Sequence, residues 1–288
     1  MNPLLTIGMA NFSDSQGVWW TLSDIRLHHV GPNDGRVELL VVDDTPESDP
    51  ELEHACQLAK ARYLHLPAGR GPAAAKNLIW DHASGGHVLM VDCHVLLGQG
   101  CVSHLVAAAE HDLVGADMWV GILLDEAGSV IATELEPVLR GNFLGVWKIG
   151  DFSVTREIEA HGGAFAFMKR SNWPGFHSGF TGFGGEEFHI HERVRMAGGK
   201  VLLQPELQWV HRFSRFGPVP YPLHLPDRFR NYLLAAQEAG WSIKQFRDYF
   251  AKSLSEAEMI KVELEVAQLS PGIFDDAISD GKRFPEFD

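Results

Sequence analysis

"HVLMVDCHVLL", residues 87–97, sets an apolar run from Val88 to Val91 ahead of Asp92, Cys93 and His94, after which Val95 to Leu97 are apolar again. A carboxylate and an imidazole between apolar segments are costly to bury without partners. The run reads as a buried strand, 85–94, with its polar residues at the carboxyl end. Working outward toward the N-terminus, "PAAAKNLIWDHAS" (72–84) reads as a helix, its early proline tolerated in the first turn. "RYLHLPAG" (62–69) is a short strand, and "TPESDPELEHACQLAKA" (45–61) is a proline-acid helix start followed by an amphipathic helix. "RVELLVVDD" (36–44) is a strand ending on Asp43 and Asp44, "VWWTLSDIRLHH" (18–29) has helical spacing, and "LLTIGMANF" (4–12) is a strand ending near Asn11. Alternation of this kind implies an α/β layered fold with a largely parallel sheet.

In such sheets ligands bind at the carboxyl ends of the strands. Asn11, Asp43, Asp44, Asp92 and His94 all fall there, so the Asp92–His94 pair belongs at the mouth of the sheet.

The second half is less regular. "CVSHLVAAAEH" (101–111) is a helix, "MWVGILLDEAGSVIATEL" (118–135) a hairpin around Glu126 to Ser129, and "GGAFAFMKRSNW" (162–173) a strand and turn. Glycine-rich "GFHSGFTGFGG" (175–185) leads into a helix, "EEFHIHERVRMAGG", closed by glycines. "KVLLQPELQWVHRF" (200–213) reads as a strand pair ending at His211, and "FGPVPYPLHLP" (216–226) as a loop. From Pro226 the chain is helical, with an extended tail from Ser270. Residues 1–222 are expected to form one catalytic domain and 223–288 a helical extension packed on it.

Length and composition agree with a soluble globular chain: 288 residues, 45% hydrophobic and 22% charged. The N-terminal stretch has no basic region, and its apolar segment is too short for a signal peptide or a membrane span, which leads to the expectation of a cytoplasmic protein. Three cysteines without CxxC spacing argue against a disulfide framework and a structural zinc site. A net charge of -14 disfavours generic nucleic-acid binding, which needs basic surface.

Asp92 and His94, two apart on an extended segment, point to one side. A carboxylate oxygen with an imidazole nitrogen suits manganese or a similar divalent ion; a simple Asp–His hydrogen bond is the plain alternative. Glu186 and His189, like Glu187 and His191, share a helix face, while two glutamates at a helix start also favour the helix dipole. Arg70 and Lys76, beside glycines ahead of a helix, could cradle a phosphate, without the spacing of a P-loop. His211, Arg212 and Arg215 read from spacing alone as a solvated basic turn.

In order, these pieces resemble a glycosyltransferase of the GT-A fold, a Rossmann-like mixed sheet flanked by helices. "VELLVVDDTPESDP" resembles that superfamily's second-strand nucleotide motif, and "GRGPAAAKN…VLMVDCH" its stretch from a basic residue to the metal motif. The motif here is Asp-x-His, as in the polypeptide N-acetylgalactosaminyltransferases, which also carry a Gly-Gly strand, a Trp-Gly-Gly-Glu-Asn segment and a later His-x-Phe-Arg. This chain has "HGGAFAFM", "GFGGEEF" and "VHRF" in that order, with Phe183 in place of the tryptophan and Glu187 in place of the asparagine. The resemblance, which extends to family-2-like enzymes, covers about residues 4–215.

It implies that Asp92, His94 and His211 bind a divalent ion, Mn2+ foremost. Asp43 or Asp44 would contact uracil or ribose near Met9 and Asn11, and Lys76, with Arg70 nearby, would reach a phosphate. Gly163 and Glu186 would line the sugar, and Arg215 and Tyr221 would match a lid. The implied activity is transfer of a hexose or N-acetylhexosamine from a UDP-sugar to an acceptor hydroxyl with retention. Inverting relatives carry a Glu-Asp pair whose second carboxylate is the general base, a part Glu187 could take. A nucleotidyltransferase or sugar-nucleotide hydrolase shares the strand-end geometry. The acceptor stays open between a glycan, a protein and a hydroxylated DNA base, the last needing Arg212, Arg215, Arg228 and Arg230 to form one basic patch. Aromatics around Trp173, Phe176 and Phe180, and around Phe213, Phe216 and Tyr221, could stack on an acceptor or pack the core.

Overall fold

Runs of Val, Leu, Ile and Met with few polar interruptions make strands that can be buried on both faces. A computed structural model of the chain, describing residues 2–66, 69–213, 222–274 and 281–287, builds four strands first, three of them such runs and one, Arg62–His65, a short and only partly buried edge strand. They are β1 (Leu5–Asn11), β2 (Val37–Asp43), β3 (Arg62–His65) and β4 (His87–Asp92), all parallel, in the spatial order β4-β1-β2-β3. The helices between them are α1 (Ser15–Asp24), which runs on into a π turn at Ile25–His29, α2 (Pro50–Leu58) and α3 (Pro72–His82). The chain moves outward from β1 to β2 and β3, then returns to place β4 on the other side of β1. The strand order therefore reverses between β1 and β4, the position where open α/β sheets leave a ligand crevice. Register puts Asn11 beside Asp43, and Ala10 beside Asp92, so the polar residues end in one row.

β5 (Val95–Leu97) and α4 (Cys101–Glu110) follow, then the expected hairpin of β6 (Met118–Leu124) and β7 (Val130–Ala132). A second hairpin, β8 (Glu134–Arg140) with β9 (Phe143–Lys148), forms a separate two-stranded sheet that the sequence reading did not anticipate. β10 (Arg156–Glu157), β11 (Phe165–Lys169), α5 (Glu186–Met196) and β12 (Val201–His211) complete the sheet-bearing part of the chain. β11 pairs antiparallel with β4 and with β6, and β12 runs parallel to β6, so the sheet is mixed. α6 (Leu225–Ala239), α7 (Ile243–Phe250) and α8 (Glu256–Leu269) form the helical C-terminal segment.

Alternation along the strands divides the core into two layers. Val88 and Met90 face α3, α5, α6 and α7, in one cluster with Ile79, Phe188, Phe229 and Phe246. Leu89 and Val91 face α1, α2 and α4, in a second cluster with Leu22, Leu52 and Leu105. The C-terminal helices thus share a core with the sheet. No described helix is long and apolar enough to cross a membrane.

Three local expectations are corrected. The 85–94 strand stops at Asp92, and Cys93 and His94 make a turn into β5. Residues 201–211 form one strand where a pair was expected: its register against β6 jumps between Leu203 and Gln208, because Pro205 offers no backbone donor and the excess residues bulge out. Of the tail, 271–274 is a turn, and bridges join Glu286 to Leu139 and Lys282 to Trp241.

Candidate active site

A cavity of about 680 Å3 opens at the carboxyl ends of β1 and β4. Asp92 ends β4. His94 lies in the turn beyond it, and β5 then pairs antiparallel with the end of β12, His211 opposite Val95. That pairing carries a residue more than a hundred positions away to the Asp92–His94 turn. The ligand atoms of Asp92, His94 and His211 all lie within 4.8 Å of one another, with the two histidine Nε2 atoms 3.1 Å apart and His211 Nε2 3.8 Å from Asp92 Oδ2.

The carboxylate that binds His94 Nδ1 is Asp14, at 3.0 Å. An Nδ1–H donated to a carboxylate fixes the tautomer and leaves Nε2 as the lone-pair face, the arrangement usual for a metal-ligating histidine. Asp14 is held in turn by Arg212, whose Nη2 lies 2.8 and 3.0 Å from its two oxygens, and it caps α1 by accepting from Gly17 N at 3.0 Å. Burial would raise the Asp14 pKa, but His94 and Arg212 reverse this and hold it well below the usual range. Asp14 was not among the residues expected at the site. Its sequence signal, an Asp just ahead of a helix, is that of an ordinary N-cap.

Lys76, on α3, sends a buried ammonium to Asp92 Oδ1 at 3.0 Å and to the Gly163 carbonyl at 2.8 Å. Burial would lower its pKa; Asp92, with Glu186 and Glu187, raises it instead, so the side chain stays charged. Burial likewise works against ionised Asp92, and Lys76, with the two histidines, overcomes it and lowers its pKa. One oxygen and two nitrogens on a fixed frame fit a divalent ion such as manganese.

At the end of β2, the alternatives Asp43 and Asp44 separate. Asp43 is fully buried and accepts from Asn11 Nδ2 (2.9 Å), Tyr63 Oη (2.7 Å) and Thr45 Oγ1 (2.5 Å). Asp44 lines the cavity and accepts from the backbone N–H groups of Gly71 (2.9 Å) and Arg70 (3.3 Å); burial raises its pKa. Asn11 lines the cavity too, its side chain tied to Asp43 and to Asp14 N at 3.1 Å. Met9 does not line the cavity: it is fully buried in the core. Arg70 also leads away, its guanidinium donating to the Ser178 carbonyl at 3.0 Å. Arg215 and Tyr221, with Phe216, lie outside the described residues.

Glu186 and Glu187 begin α5 and line the same cavity as Asp92, His94 and His211. Glu186 accepts from Gly184 N at 2.8 Å. Burial pushes both carboxyls above the usual range, and for Glu186 the neighbouring Glu187 adds to it. The shared helix faces with His189 and His191 carry no site: His189 Nε2 binds Glu238 at 2.6 Å, and His191 is buried with its pKa lowered to about 3 by burial. Trp147, on β9, and Phe183 and Phe213 also line the cavity. Of the other aromatics considered for an acceptor, Phe176 and Phe180 are core residues and Trp173 stacks on Trp80 at 4.2 Å. The basic patch required by a DNA acceptor does not form among the described arginines. Arg228 is buried, Arg230 pairs with Asp227 and Glu265, and Arg212 pairs with Asp14.

No curated protein matches the sequence. Solved structures are similar in fold. GalNAc-T7, crystallised with UDP, GalNAc and Mn2+, superposes with a TM-score of 0.65 at 15% identity, over 92% of this chain and 54% of that one. The S. aureus TarS 1-349 fragment, in complex with UDP-GlcNAc, gives 0.56 at 12% identity, over 93% and 81% of the two chains. A longer S. aureus TarS chain gives 0.55 at 13% identity, over 93% and 49%. The chain thus spans about half the length of the GalNAc-T7 structure it matches, and these likenesses establish the GT-A fold. The model of the glycosyl transferase family 2 matches residues 21–171, just over half of the sequence, from α1 through β4 and the Asp92–His94 turn to the end of β11. The chain belongs to glycosyl transferase family 2.

Proposed function

We propose that this chain transfers a hexose or N-acetylhexosamine from a UDP-sugar to an acceptor hydroxyl, with a divalent ion, Mn2+ foremost, held by Asp92, His94 and His211. The observation that carries the reading is the convergence of those three side chains, with Lys76 beside them, at the point where the strand order reverses. UDP together with Mn2+ in the GalNAc-T7 structure, and UDP-GlcNAc in that of TarS, support the choice of donor and ion.

Breaking a sugar–phosphate bond leaves a diphosphate on which charge accumulates. A bound divalent ion stabilises that developing charge as a Lewis acid. Lys76 adds a fixed, buried positive charge where it is worth more than in water. Asp44, the carboxylate of the two that lines the cavity, would receive the nucleoside. Glu186, with one oxygen taken by Gly184 N, presents the other to sugar hydroxyls, and Gly163 forms the wall beside Lys76.

Retention, by front-face attack with the leaving phosphate taking the acceptor's proton, follows from the Asp-x-His resemblance. One observation favours a second reading, inversion. Glu187 lines the cavity as a carboxyl with raised proton affinity, the property wanted in a general base.

The test is donor turnover: a panel of UDP- and GDP-sugars, with Mn2+ and with chelator, and an acceptor library spanning glycans, peptides and hydroxymethylated DNA. Release of UDP from one sugar that needs both ion and acceptor is the expected result. Release indifferent to chelator sinks the ion, and release indifferent to every acceptor points to a hydrolase. Proton NMR of the first product gives the anomeric configuration and decides between the two stereochemical courses.

A further inference from the structure

α6 lies against the back of the loop that brings Glu186 and Glu187 to the cavity. Asn231, 1% exposed, makes three hydrogen bonds to that loop's backbone. Its Nδ2 donates to the carbonyls of Thr181 and Gly184, both at 2.9 Å, and its Oδ1 accepts from Thr181 N at 3.2 Å. Three residues earlier, the buried Arg228 guanidinium sits 3.6 Å above the Phe143 ring, with Nη1 3.4 Å from the Asn142 carbonyl and Nε 3.5 Å from that of Phe183. It is a positive charge close to two carboxyls, the buried Glu186 and the half-buried Glu187. Further along, Glu238 binds His189 at 2.6 Å and Arg193 at 3.3 Å, so α6 braces α5 as well as the loop before it.

The loop is moulded on this helix. Gly182 and Gly184 have φ of +63° and +109°, where side chains are disfavoured. A Cβ on Gly182 would come within 2.7 Å of Asp227 Oδ2, and one on Gly184 within 2.5 Å of Arg228 Nε. Packing alone does not ask for this. Phe229, Tyr232 and Leu233 already bury the apolar side of α6, and an apolar side chain at 231 would serve a merely structural helix. A buried amide saturated by the backbone of a glycine-rich loop instead fixes a conformation the loop would not hold by itself.

We propose that α6 is the template of the carboxylate-bearing loop, with Asn231 and Arg228 as positioning residues that hold Glu186 and Glu187 in register with the donor sugar. The inference rests on the reading above that Glu186 works at the sugar. The ion and diphosphate groups are carried by β4, β5, β12 and α3, so disturbing α6 should spare donor binding and slow the chemical step.

The experiment uses the full chain with Asn231→Asp, which keeps the shape and the acceptor but loses both donors, with Arg228→Lys and Arg228→Met, and with the exposed Lys261→Ala as control. In Asn231→Asp, backbone amides of 181–187 are expected to exchange about tenfold faster or more while those of 87–92 stay protected, a local opening. With the UDP-sugar the donor panel identifies, kcat should fall about tenfold or more, as a small misplacement does, with KM for the donor within about twofold of the parent. Arg228→Lys should recover more kcat than Arg228→Met. Wild-type exchange in the loop together with wild-type kcat overturns the template, and so does faster exchange spread evenly over the chain, which marks plain destabilisation. Glu186→Gln run alongside separates the two failures: undiminished turnover there sinks the reading of Glu186 at the sugar. Loss there with unaffected α6 variants sinks only the template.

Discussion

The two sides of the cavity are built by different means. On one side, β1, β2 and β4 run parallel and each ends on a residue that faces, or sits just behind, the cavity: Asn11, Asp43 with Asp44, and Asp92. Each residue is delivered there by its own strand of one parallel run. The other side is assembled from far apart: His211 reaches His94 only because β5 pairs with the end of β12, and the Glu186–Glu187 pair is held from behind by α6. A frame of the first kind tolerates change in its surroundings, whereas a frame of the second kind depends on single long-range contacts. Substitutions on the two sides should therefore fail differently.

The largest effect is expected where the two sides meet. Asp92→Ala removes a carboxylate that neutralises Lys76 as well as an expected ion ligand, and His211→Ala removes the residue that closes the cluster. Each should lower kcat/KM by about 10^3-fold, comparable to losing a main electrostatic stabiliser of the transition state. Equal loss in both would join the two sides into one device. A His211→Ala enzyme with near-normal, metal-dependent turnover would break the comparison.

Glu187→Gln comes next. If Glu187 is the general base, kcat should drop by about 10^2- to 10^4-fold with little change in donor KM. The pH profile sharpens this. Burial raises the Glu187 pKa, so its ionised, basic form is lost as pH falls through a value above the usual carboxylate range. The acid limb of kcat/KM should then stand above about pH 4.5, the ordinary carboxyl region. A limb at or below the ordinary carboxyl value, or a Gln variant within a few-fold of the parent, leaves retention without a protein base as the course.

Asp14→Ala should produce a smaller and more specific change. Its carboxylate orients His94 and, through Arg212, steadies the strand end that carries His211. Removing such a partner typically weakens metal affinity about 10- to 100-fold. Mn2+ titration by calorimetry or electron paramagnetic resonance would read this without any donor. Unchanged affinity would mean that Asp14 serves α1 as a cap and nothing more.

Which of these residues could be seen in advance follows from the same difference. Asp92, Lys76 and the strand ends were legible because a parallel α/β unit turns local periodicity into geometry: a run of apolar residues, then a polar end, then a helix. Asp43 and Asp44 could not be told apart, since which of two adjacent carboxylates faces the cavity depends on Asn11, Tyr63 and Thr45 closing round one of them. Asp14 looked like any helix cap. The β8–β9 hairpin left no clean alternation, because Pro137 and a register shift between Glu136 and Leu139 interrupt it. Asn231 had no signal at all: it is one polar position on an amphipathic helix, and its partners are backbone atoms of a distant loop. His211 was reached by resemblance and by no spacing rule, while the helix spacing that singled out Glu186 and Glu187 paired them with His189 and His191, which turn elsewhere.

The smallest effect tests whether the unanticipated hairpin belongs to the same long-range side. Tyr232, on α6, is buried, and its hydroxyl accepts from Leu144 N in β9 at 2.6 Å. Tyr232→Phe preserves the ring stack on Phe246 and leaves one buried N–H without that acceptor. The cost should be about 1–3 kcal/mol of stability, the price of an unsatisfied buried donor, read as a lower denaturant midpoint at unchanged slope. The hairpin carries Trp147 to the cavity wall, so the loss should be felt more in acceptor KM than in Mn2+ affinity. A midpoint shift accompanied by weaker Mn2+ binding would show the two sides to be coupled through the core, and the division between a locally built frame and a remotely braced one would have to be given up.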